Sequence, residues 1–170
     1  MYLSSTDPAP KSFYQELKAL PDGDLGTKRT LEYMREFKEQ AKLMPEIRSL
    51  AHRIVNNVPA KDWYGELEAI QNWVKTNVRY TFDIAGVETL QRPDVTISLG
   101  HGDCDDQSTL VASLAETIGL PSRFVAVGGN EFEHVFAEVF LPGDGWVSVE
   151  TTENVPIGWA PEFKRRMVVQ

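Results

Sequence analysis

The sequence has 170 residues, the usual size of a single domain, and its 42% hydrophobic and 25% charged residues are typical of a folded globular protein. Its net charge of −8 argues against nucleic acid and membrane surfaces as partners, because both are negatively charged. One cysteine cannot form an internal disulfide, and we find neither a signal sequence nor an apolar run of the roughly 18 residues that span a membrane. We therefore expect a cytoplasmic protein, and the same argument holds for a virus-encoded one.

Residues 1–27 are rich in Pro, Gly, Asp and Ser, and we interpret them as an arm over the surface of a domain formed by residues 28–170. The arm contains one short amphipathic piece, at 12–20. Its end, 21–27, resembles a calcium loop only weakly, because Gly26 falls where an oxygen ligand belongs and no glutamate closes the loop. We predict a turn before a helix there and assign no metal.

Three amphipathic segments follow, at residues 27–44, 45–58 and 60–78, and each has apolar residues at steps of three and four. Pro45 separates the first two and suits the first turn of the second, where a missing N–H costs little. His52 lies beside the apolar stripe of that second helix. We interpret it as a packed or half-exposed side chain, because no other candidate is close to it in sequence.

An extended piece at 78–83 leads into a long connection, 84–102, with little periodicity. Long irregular loops inside compact domains tend to border sites. The clearest helix of the sequence then begins at Cys104 and is stopped by Gly119 and Pro121.

The rest of the chain changes to β-branched and aromatic runs separated by glycine-containing turns, which predicts an antiparallel meander. The runs lie at residues 123–129, 134–141 and 145–152, and we expect 165–170 to add a further strand. Helices first and strands second predict an α+β fold, in which N-terminal helices and a cysteine-bearing helix pack on an antiparallel β-sheet.

The only cysteine lies in the stretch GHGDCDDQST, residues 100–109. Cys104 is seven residues before Val111, on the same face of the predicted helix, so the thiol should point inward. It also lies in the first turn, where free N–H groups and the helix dipole lower the pKa of a thiol and can bind an oxyanion.

Three aspartates surround this cysteine. Asp103 is a suitable N-cap, and Asp105 and Asp106 suit the first turn, so we interpret all three as helix stabilisers. Their charge disfavours a second anion nearby. A reactive Cys104 would therefore need a cationic partner.

Two histidines could be that partner. His101 is in the preceding loop, whereas His134 opens a predicted strand, which holds a base in place better than a loop does. We prefer His134. Glu150, at the end of the next strand, is the candidate that orients its imidazole.

These residues resemble the transglutaminase-like cysteine enzyme superfamily, a rearranged relative of the papain fold. The resemblance rests on GDCDDQSTLVASLAETIGLPSRFVAV, HVFAEVF and GWVSVETT, and it covers roughly residues 28–152. The upstream segments WVKTNVRYTFD and ETLQRPDVTISLGHGDCDD are similar to the variant of this domain found in bacteriophages and prophages.

The resemblance implies that Cys104 is the nucleophile, His134 the base and acid, and Glu150 the group that orients His134. The family usually has aspartate at the position of Glu150, so the longer side chain must reach from a withdrawn backbone or leave the triad loose. Gln91 is a candidate side-chain donor to the oxyanion hole, beside the backbone N–H of Cys104. A transglutaminase-like, papain-like core is the expected fold.

The leading hypothesis is cysteine-dependent acyl chemistry, by default hydrolysis of a peptide or isopeptide bond through a thioester, with transfer to an amine as the other outcome. This chemistry needs a peptide or protein substrate and no cofactor. The sequence does not indicate the oligomeric state.

Three alternatives to this hypothesis stay open. One is an inactive or weakly active domain that serves phage assembly or host interaction. Another is a zinc site of His101, Cys104, His134 and an aspartate, and the last is a core thiol.

The acidic residues around the candidate site predict a substrate with neutral or basic groups near the scissile bond. They are Asp103, Asp105, Asp106, Glu131, Glu133 and Asp144.

Overall fold

The computed structural model describes residues 14–16, 21–82 and 89–170. Its helices in these ranges are α1 (Asp24–Ala41), α2 (Pro45–Val55), α3 (Trp63–Asn77), α4 (Pro93–Leu99) and α5 (Cys104–Thr117). The strands are β1 (Tyr14–Glu16), β2 (Arg79–Tyr80), β3 (Thr89–Gln91), β4 (His101–Gly102), β5 (Ser122–Gly128), β6 (Phe132–Leu141), β7 (Gly145–Val149) and β8 (Arg165–Val169). The predicted α+β fold is confirmed. No helix of the described ranges is long and apolar enough to cross a membrane.

The main sheet has the strand order β7-β6-β5-β8, and all of its pairs are antiparallel. The predicted meander is therefore confirmed, and the tail strand β8 pairs with the free side of β5. Side chains alternate between the two faces of β6. Val135 and Ala137 belong to the main core, whereas Phe136 belongs to a small cluster of its own. His134 lies on the same side as Phe136, with its ring centroid 6.3 Å away.

Helix α5 lies at the centre of the molecule. The sequence pattern predicts one inward stripe, but residues 106–115 are all buried, because α1 to α4 pack on it from one side and β5 and β6 from the other. Small polar residues make this possible by bonding internally. Ser113 Oγ donates to the carbonyl of Thr109 at 2.7 Å, and Ser108 Oγ donates to the carbonyl of Val135 in β6 at 3.3 Å.

The predicted helices begin and end close to where the sequence indicates. Pro45 occupies the first turn of α2, as predicted, and the cap of α3 is Asp62, which accepts from the N–H of Gly65 at 3.0 Å. Helix α1 begins at Asp24, three residues before the predicted Thr27. An acidic residue in a first turn is favoured by the helix dipole, which accounts for the earlier start.

The long connection at 84–102 is not irregular throughout, and the sequence prediction is wrong there. It contains β3, α4 and β4, whereas 83–88 lie outside the described residues. The helix α4 has only seven residues, and seven residues are too few to show a helical period. Its end is set by Gly100, which has a left-handed backbone with φ of 66°.

Two short pairings complete the fold. Strands β2 and β4 form a parallel pair, in which Tyr80 lies opposite Gly102. Strand β1 pairs with β3 in antiparallel, so the described part of the predicted amphipathic piece is a strand. The rest of 1–20 lies outside the described residues.

A partly buried ion cluster joins α1, α5 and β5. Lys38, only 3% exposed, donates to Glu116 Oε1 at 2.6 Å, and Lys42 donates to the other oxygen at 2.7 Å. Ser122 Oγ adds a bond of 2.8 Å. Burial acts to raise the pKa of Glu116, but the bonds from Lys38, Lys42 and Ser122 outweigh it and lower the pKa.

Glu116→Ala should lower the free energy of unfolding by about 3 kcal/mol, because it leaves the buried Lys38 ammonium without its closest carboxylate. The pKa of Glu116 is lowered in the folded state, so its contribution is present above the ordinary pKa of glutamate and is lost as the pH falls below it. Urea unfolding at pH 7 and at pH 4 measures both effects. The control is Glu32→Ala, which breaks an exposed pair with Arg29 and should cost less than about 1 kcal/mol. Equal losses for the two variants would contradict the prediction.

Candidate active site

The first turn of α5 is built by its N-cap. Asp103 Oδ1 accepts from the N–H groups of Asp105 at 3.0 Å and Asp106 at 3.1 Å, as the sequence predicts for a cap. Cys104 is therefore the first residue of the helix. Its N–H is the first-turn donor that stays outside these capping bonds.

Asp106 does more than stabilise the helix, and the sequence interpretation of this residue is incomplete. It is 1% exposed, and its Oδ1 accepts from the backbone N–H of Gln91 at 2.7 Å, so it joins β3 to α5. Burial, and then the Asp103 charge, raise the pKa of Asp106 to about 8. Gly102 packs on it so closely that an added Cβ would lie 2.7 Å from Asp106 Cβ. Contact with Asp106, rather than a turn, accounts for the glycine at this position.

The Cys104 residue is half-buried, and its thiol lies in a negatively charged place. Its sulfur donates to Asp105 Oδ1 at 3.4 Å and is faced by the backbone N–H of Val135. Burial raises the pKa of Cys104 well above its ordinary value, and the charges of Asp105 and Asp103 raise it further. This direction is opposite to the one expected from a helix N-terminus. The carboxylates that cap the helix offset its dipole, so the resting thiol is protonated.

His134 and Glu150 are in direct contact. The ring Nε2 lies 2.5 Å from Glu150 Oε2, and Glu150 is 1% exposed. The other carboxylate oxygen accepts from the N–H of Thr152 at 2.7 Å and from its hydroxyl at 2.8 Å. Glutamate thus reaches the imidazole in the place where the family usually has aspartate.

These contacts set the proton positions of the pair. Burial acts to raise the pKa of Glu150, but the bonds from His134 and Thr152 outweigh it and lower the pKa. An ionised carboxylate only accepts hydrogen bonds, so in the neutral ring Nε2 carries the proton. Nδ1 of His134 is then the nitrogen that can accept a proton.

Of the three predicted catalytic residues, His134 and Glu150 are brought into direct contact, whereas Cys104 has no hydrogen bond to the ring among the described residues. The Cys104 sulfur lies against the backbone of Val135, the residue after His134, and its own hydrogen bond goes to Asp105. The pairing of Cys104 with His134 in catalysis stays a prediction.

The other candidates take different positions. The backbone of Gln91 bonds to Asp106, and its Oε1 is buried without a partner among the described residues, so a role in the oxyanion hole stays a prediction. His101 Nδ1 lies 3.4 Å from the Thr81 hydroxyl. In the described part of the chain, the potential ligand group around Cys104 contains Asp103 and Asp105, not a histidine. The zinc set considered from the sequence is not assembled.

Tyr80 is a neighbour of the site that the sequence analysis did not single out. It pairs with Gly102, and burial, together with the charges that Cys104 and Asp103 carry at high pH, raises the pKa of Tyr80 to about 12. Its ring meets Phe82 edge to face with centroids 5.0 Å apart. The alternation of the two aromatic residues in the extended segment 78–83 is the signal that could have indicated an aromatic surface beside Cys104.

A cavity of about 490 Å³ has His134 and Glu150 in its wall. Trp159 and Pro161 supply apolar surface. The carboxylates that line it are Glu133, Glu150, Glu153 and Glu162. Of the six acidic residues that the sequence indicated around the site, only Glu133 lines this cavity. The other five lie at the start of α5 or in turns. The acidic surface near the pair comes mainly from the segment after β7.

Residues 48–151 match the family model of the transglutaminase-like superfamily. The match covers more than half of the chain. The fold of the chain also has the expected cysteine-bearing helix packed on an antiparallel sheet. The chain therefore belongs to the transglutaminase-like superfamily. No curated protein sequence matches it.

Solved structures of similar fold include candidate proteases. A candidate cysteine protease of Cytophaga hutchinsonii is 22% identical, with a TM-score of 0.54 over 65% of this chain and 38% of that one. A candidate protease of Parabacteroides distasonis is 12% identical, with a TM-score of 0.60 over 88% and 32%. The chain thus spans only about a third of the length of these two proteins.

Legionella pneumophila LapG, in its EGTA-treated form, is 15% identical, with a TM-score of 0.51 over 72% of this chain and 73% of that one. At these identities the likeness concerns the fold alone.

Asp105→Asn should make the alkylation of Cys104 by iodoacetamide at pH 7.5 several-fold faster, whereas the wild-type thiol should react more slowly than glutathione. The substitution removes a charge that raises the thiol pKa, and each unit by which a pKa falls increases the thiolate fraction about tenfold at a fixed lower pH. Intact-mass time courses measure the rate. The matched control is Asp144→Asn, in the exposed turn before β7. A rate for Asp105→Asn no higher than for the control would refute the prediction.

Proposed function

We propose that this chain is a cysteine hydrolase that cleaves an amide bond, in a peptide or an isopeptide, through a thioester on Cys104. The observation that carries the proposal is the His134–Glu150 contact of 2.5 Å, made beside the backbone against which the Cys104 sulfur lies. A nucleophile, a base and a group that orients the base form the arrangement that acyl chemistry requires. The superfamily and the fold shared with candidate cysteine proteases support the same class of reaction.

The first step starts from a neutral thiol. Because burial and two carboxylates keep the Cys104 proton in place, the sulfur attacks the amide carbonyl as His134 Nδ1 takes that proton. A C–S bond forms, and the carbonyl π electrons move to oxygen. Glu150, ionised and held by Thr152, stabilises the imidazolium that results.

The second step breaks the C–N bond. The oxyanion collapses, the imidazolium gives its proton to the leaving amine, and a thioester remains on Cys104. Water then attacks the thioester carbonyl as His134 accepts its proton, the C–S bond breaks, and the imidazolium returns the proton to the sulfur. The carboxylic acid and the thiol are released, so that one amide and one water give one acid and one amine.

The N–H of Cys104 is the backbone donor for the oxyanion. The capping bonds of Asp103 use the N–H groups of Asp105 and Asp106, which leaves the N–H of Cys104 for this role. We keep Gln91 as the candidate side-chain donor to the oxyanion.

Transfer of the acyl group to an amine in place of water would use the same first two steps. No residue pattern in the sequence indicates a binding site for such an amine.

Cys104→Ala should reduce amide cleavage to the background level, and Glu150→Gln should lower kcat by roughly 10² to 10⁴ with folding retained. The substrates are a fluorogenic peptide library and p-nitrophenyl acetate, a small activated ester. With the ester, the wild-type protein should gain the mass of one acetyl group on Cys104. The proposal fails if Cys104→Ala acquires the same adduct, or if the wild-type chain neither acquires it nor cleaves any peptide.

Substrates with a basic side chain next to the scissile bond should be cleaved faster than matched acidic ones at low salt. The reason is the set of carboxylates that line the cavity at the His134–Glu150 pair, and the difference should shrink as salt screens these charges. Initial rates on paired peptides at two salt concentrations measure it. Glu153→Gln should narrow the difference, and a preference for the acidic peptide would contradict the prediction.

The second candidate is a catalytically silent member of the superfamily, of the bacteriophage type, that serves phage assembly or host interaction. The observation that favours it is the hydrogen bond of the Cys104 thiol to Asp105, in surroundings that raise the pKa of the thiol. The adduct experiment separates the two candidates, because a silent domain would not be acylated on Cys104.

A further inference from the structure

Gln71 places a polar amide inside the core-facing side of α3. It is 2% exposed, and its helix neighbours Leu67, Ile70 and Val74 are fully buried. Burying an amide among apolar side chains is costly unless its hydrogen bonds are satisfied. Its bonding partners therefore explain why glutamine is accommodated here.

Both partners of Gln71 lie in the segment that follows β7. Its Nε2 donates to the carbonyl of Glu150 at 2.6 Å and to the carbonyl of Val155 at 3.2 Å, which uses both amide hydrogens. The ladder between β6 and β7 ends at the pair Ala137–Val149, so the carbonyl of Glu150 lies just beyond it. Gln71 holds the backbone at the point where the sheet no longer does.

The position of this backbone decides which side chain reaches His134. Glutamate exceeds aspartate by one methylene, and one C–C bond is about 1.5 Å long. From the anchored backbone, the carboxylate of Glu150 contacts His134 Nε2 and the two donors of Thr152 together. An aspartate on the same backbone would end about one bond length short of the ring.

We propose that Gln71 is a positioning residue, which holds the Glu150 backbone at the distance from His134 that a glutamate, and not an aspartate, spans. This inference rests on the proposed function, because it explains how the unusual acid serves the base. It adds a residue of α3 to the machinery that orients His134, although Gln71 touches neither the substrate nor the reacting atoms.

The test compares Gln71→Met with Lys75→Met. Lys75 Nζ also donates to the carbonyl of Val155, at 3.2 Å, but this bond does not involve Glu150, so Lys75 is a matched control on the same helix. Gln71→Met should lower kcat about tenfold with KM unchanged, as is usual for the loss of a group that orients a catalytic side chain. Lys75→Met should stay within about twofold of wild type.

A second readout does not depend on turnover. The proton on His134 Nε2, hydrogen-bonded to a carboxylate, should give a low-field NMR resonance in the wild type and in Lys75→Met. It should shift upfield or disappear in Gln71→Met and in Glu150→Asp. Gln71→Asn, which keeps the amide but shortens its reach, is the second variant should Gln71→Met not fold, and it should show the same loss.

A double-mutant cycle identifies the route of the effect. In a Glu150→Gln background, Gln71→Met should cost less than about twofold in kcat, because the group through which it acts is already lost. Folded Gln71 variants that keep both the resonance and the kcat of Lys75→Met would overturn the proposal. If the wild type has the resonance but no acyl chemistry, the proposed function fails while the NMR comparison still decides the role of Gln71.

Discussion

Partial burial of the first turn of α5, which is complete from Asp106 onward, is the constraint on which the rest of this structure depends. A helix whose start is largely covered must satisfy most of its N-terminal N–H groups inside the protein. Asp103 accepts hydrogen bonds from two N–H groups of the helix itself, and Asp106 accepts one from the backbone N–H of Gln91 in β3. The close packing of Gly102 on Asp106 is a further consequence of this arrangement.

The same burial determines the state of the only cysteine. A helix N-terminus in water would favour a thiolate, but here the capping carboxylates and the loss of solvent both favour the neutral thiol. The chemistry that fits this place is removal of the proton by a base during attack, rather than a preformed thiolate–imidazolium pair. That requirement gives weight to the His134–Glu150 contact, which in the proposed reaction orients the base, keeps the ring proton on Nε2 and leaves Nδ1 to accept the proton of the thiol.

Much of the fold and part of the site can be predicted from the sequence. The three long helices, the helix of Cys104 and the meander follow from strong periodicity, and the order of cysteine, histidine and acid follows from the resemblance to a known superfamily. The short elements of 89–102 escape this reasoning because they span too few residues to show a period. The role of Gln71 could not be predicted for another reason. A positioning role for a glutamine on the apolar side of a helix is recognisable only when its hydrogen-bond partners, in a segment some 80 residues away, are known.

By itself, the sequence determined on which elements Cys104, His134 and Glu150 lie, because local patterns and caps are encoded within a few residues, and it predicted that these residues carry the proposed chemistry. Only the tertiary structure decided the charge state of Cys104, the second role of Asp106 and the reach of Glu150. Each of these depends on burial and on groups brought in from distant elements. Solvent exclusion and charge proximity are properties of the packed molecule, and they reversed the direction of the thiol pKa that the helix terminus alone would suggest.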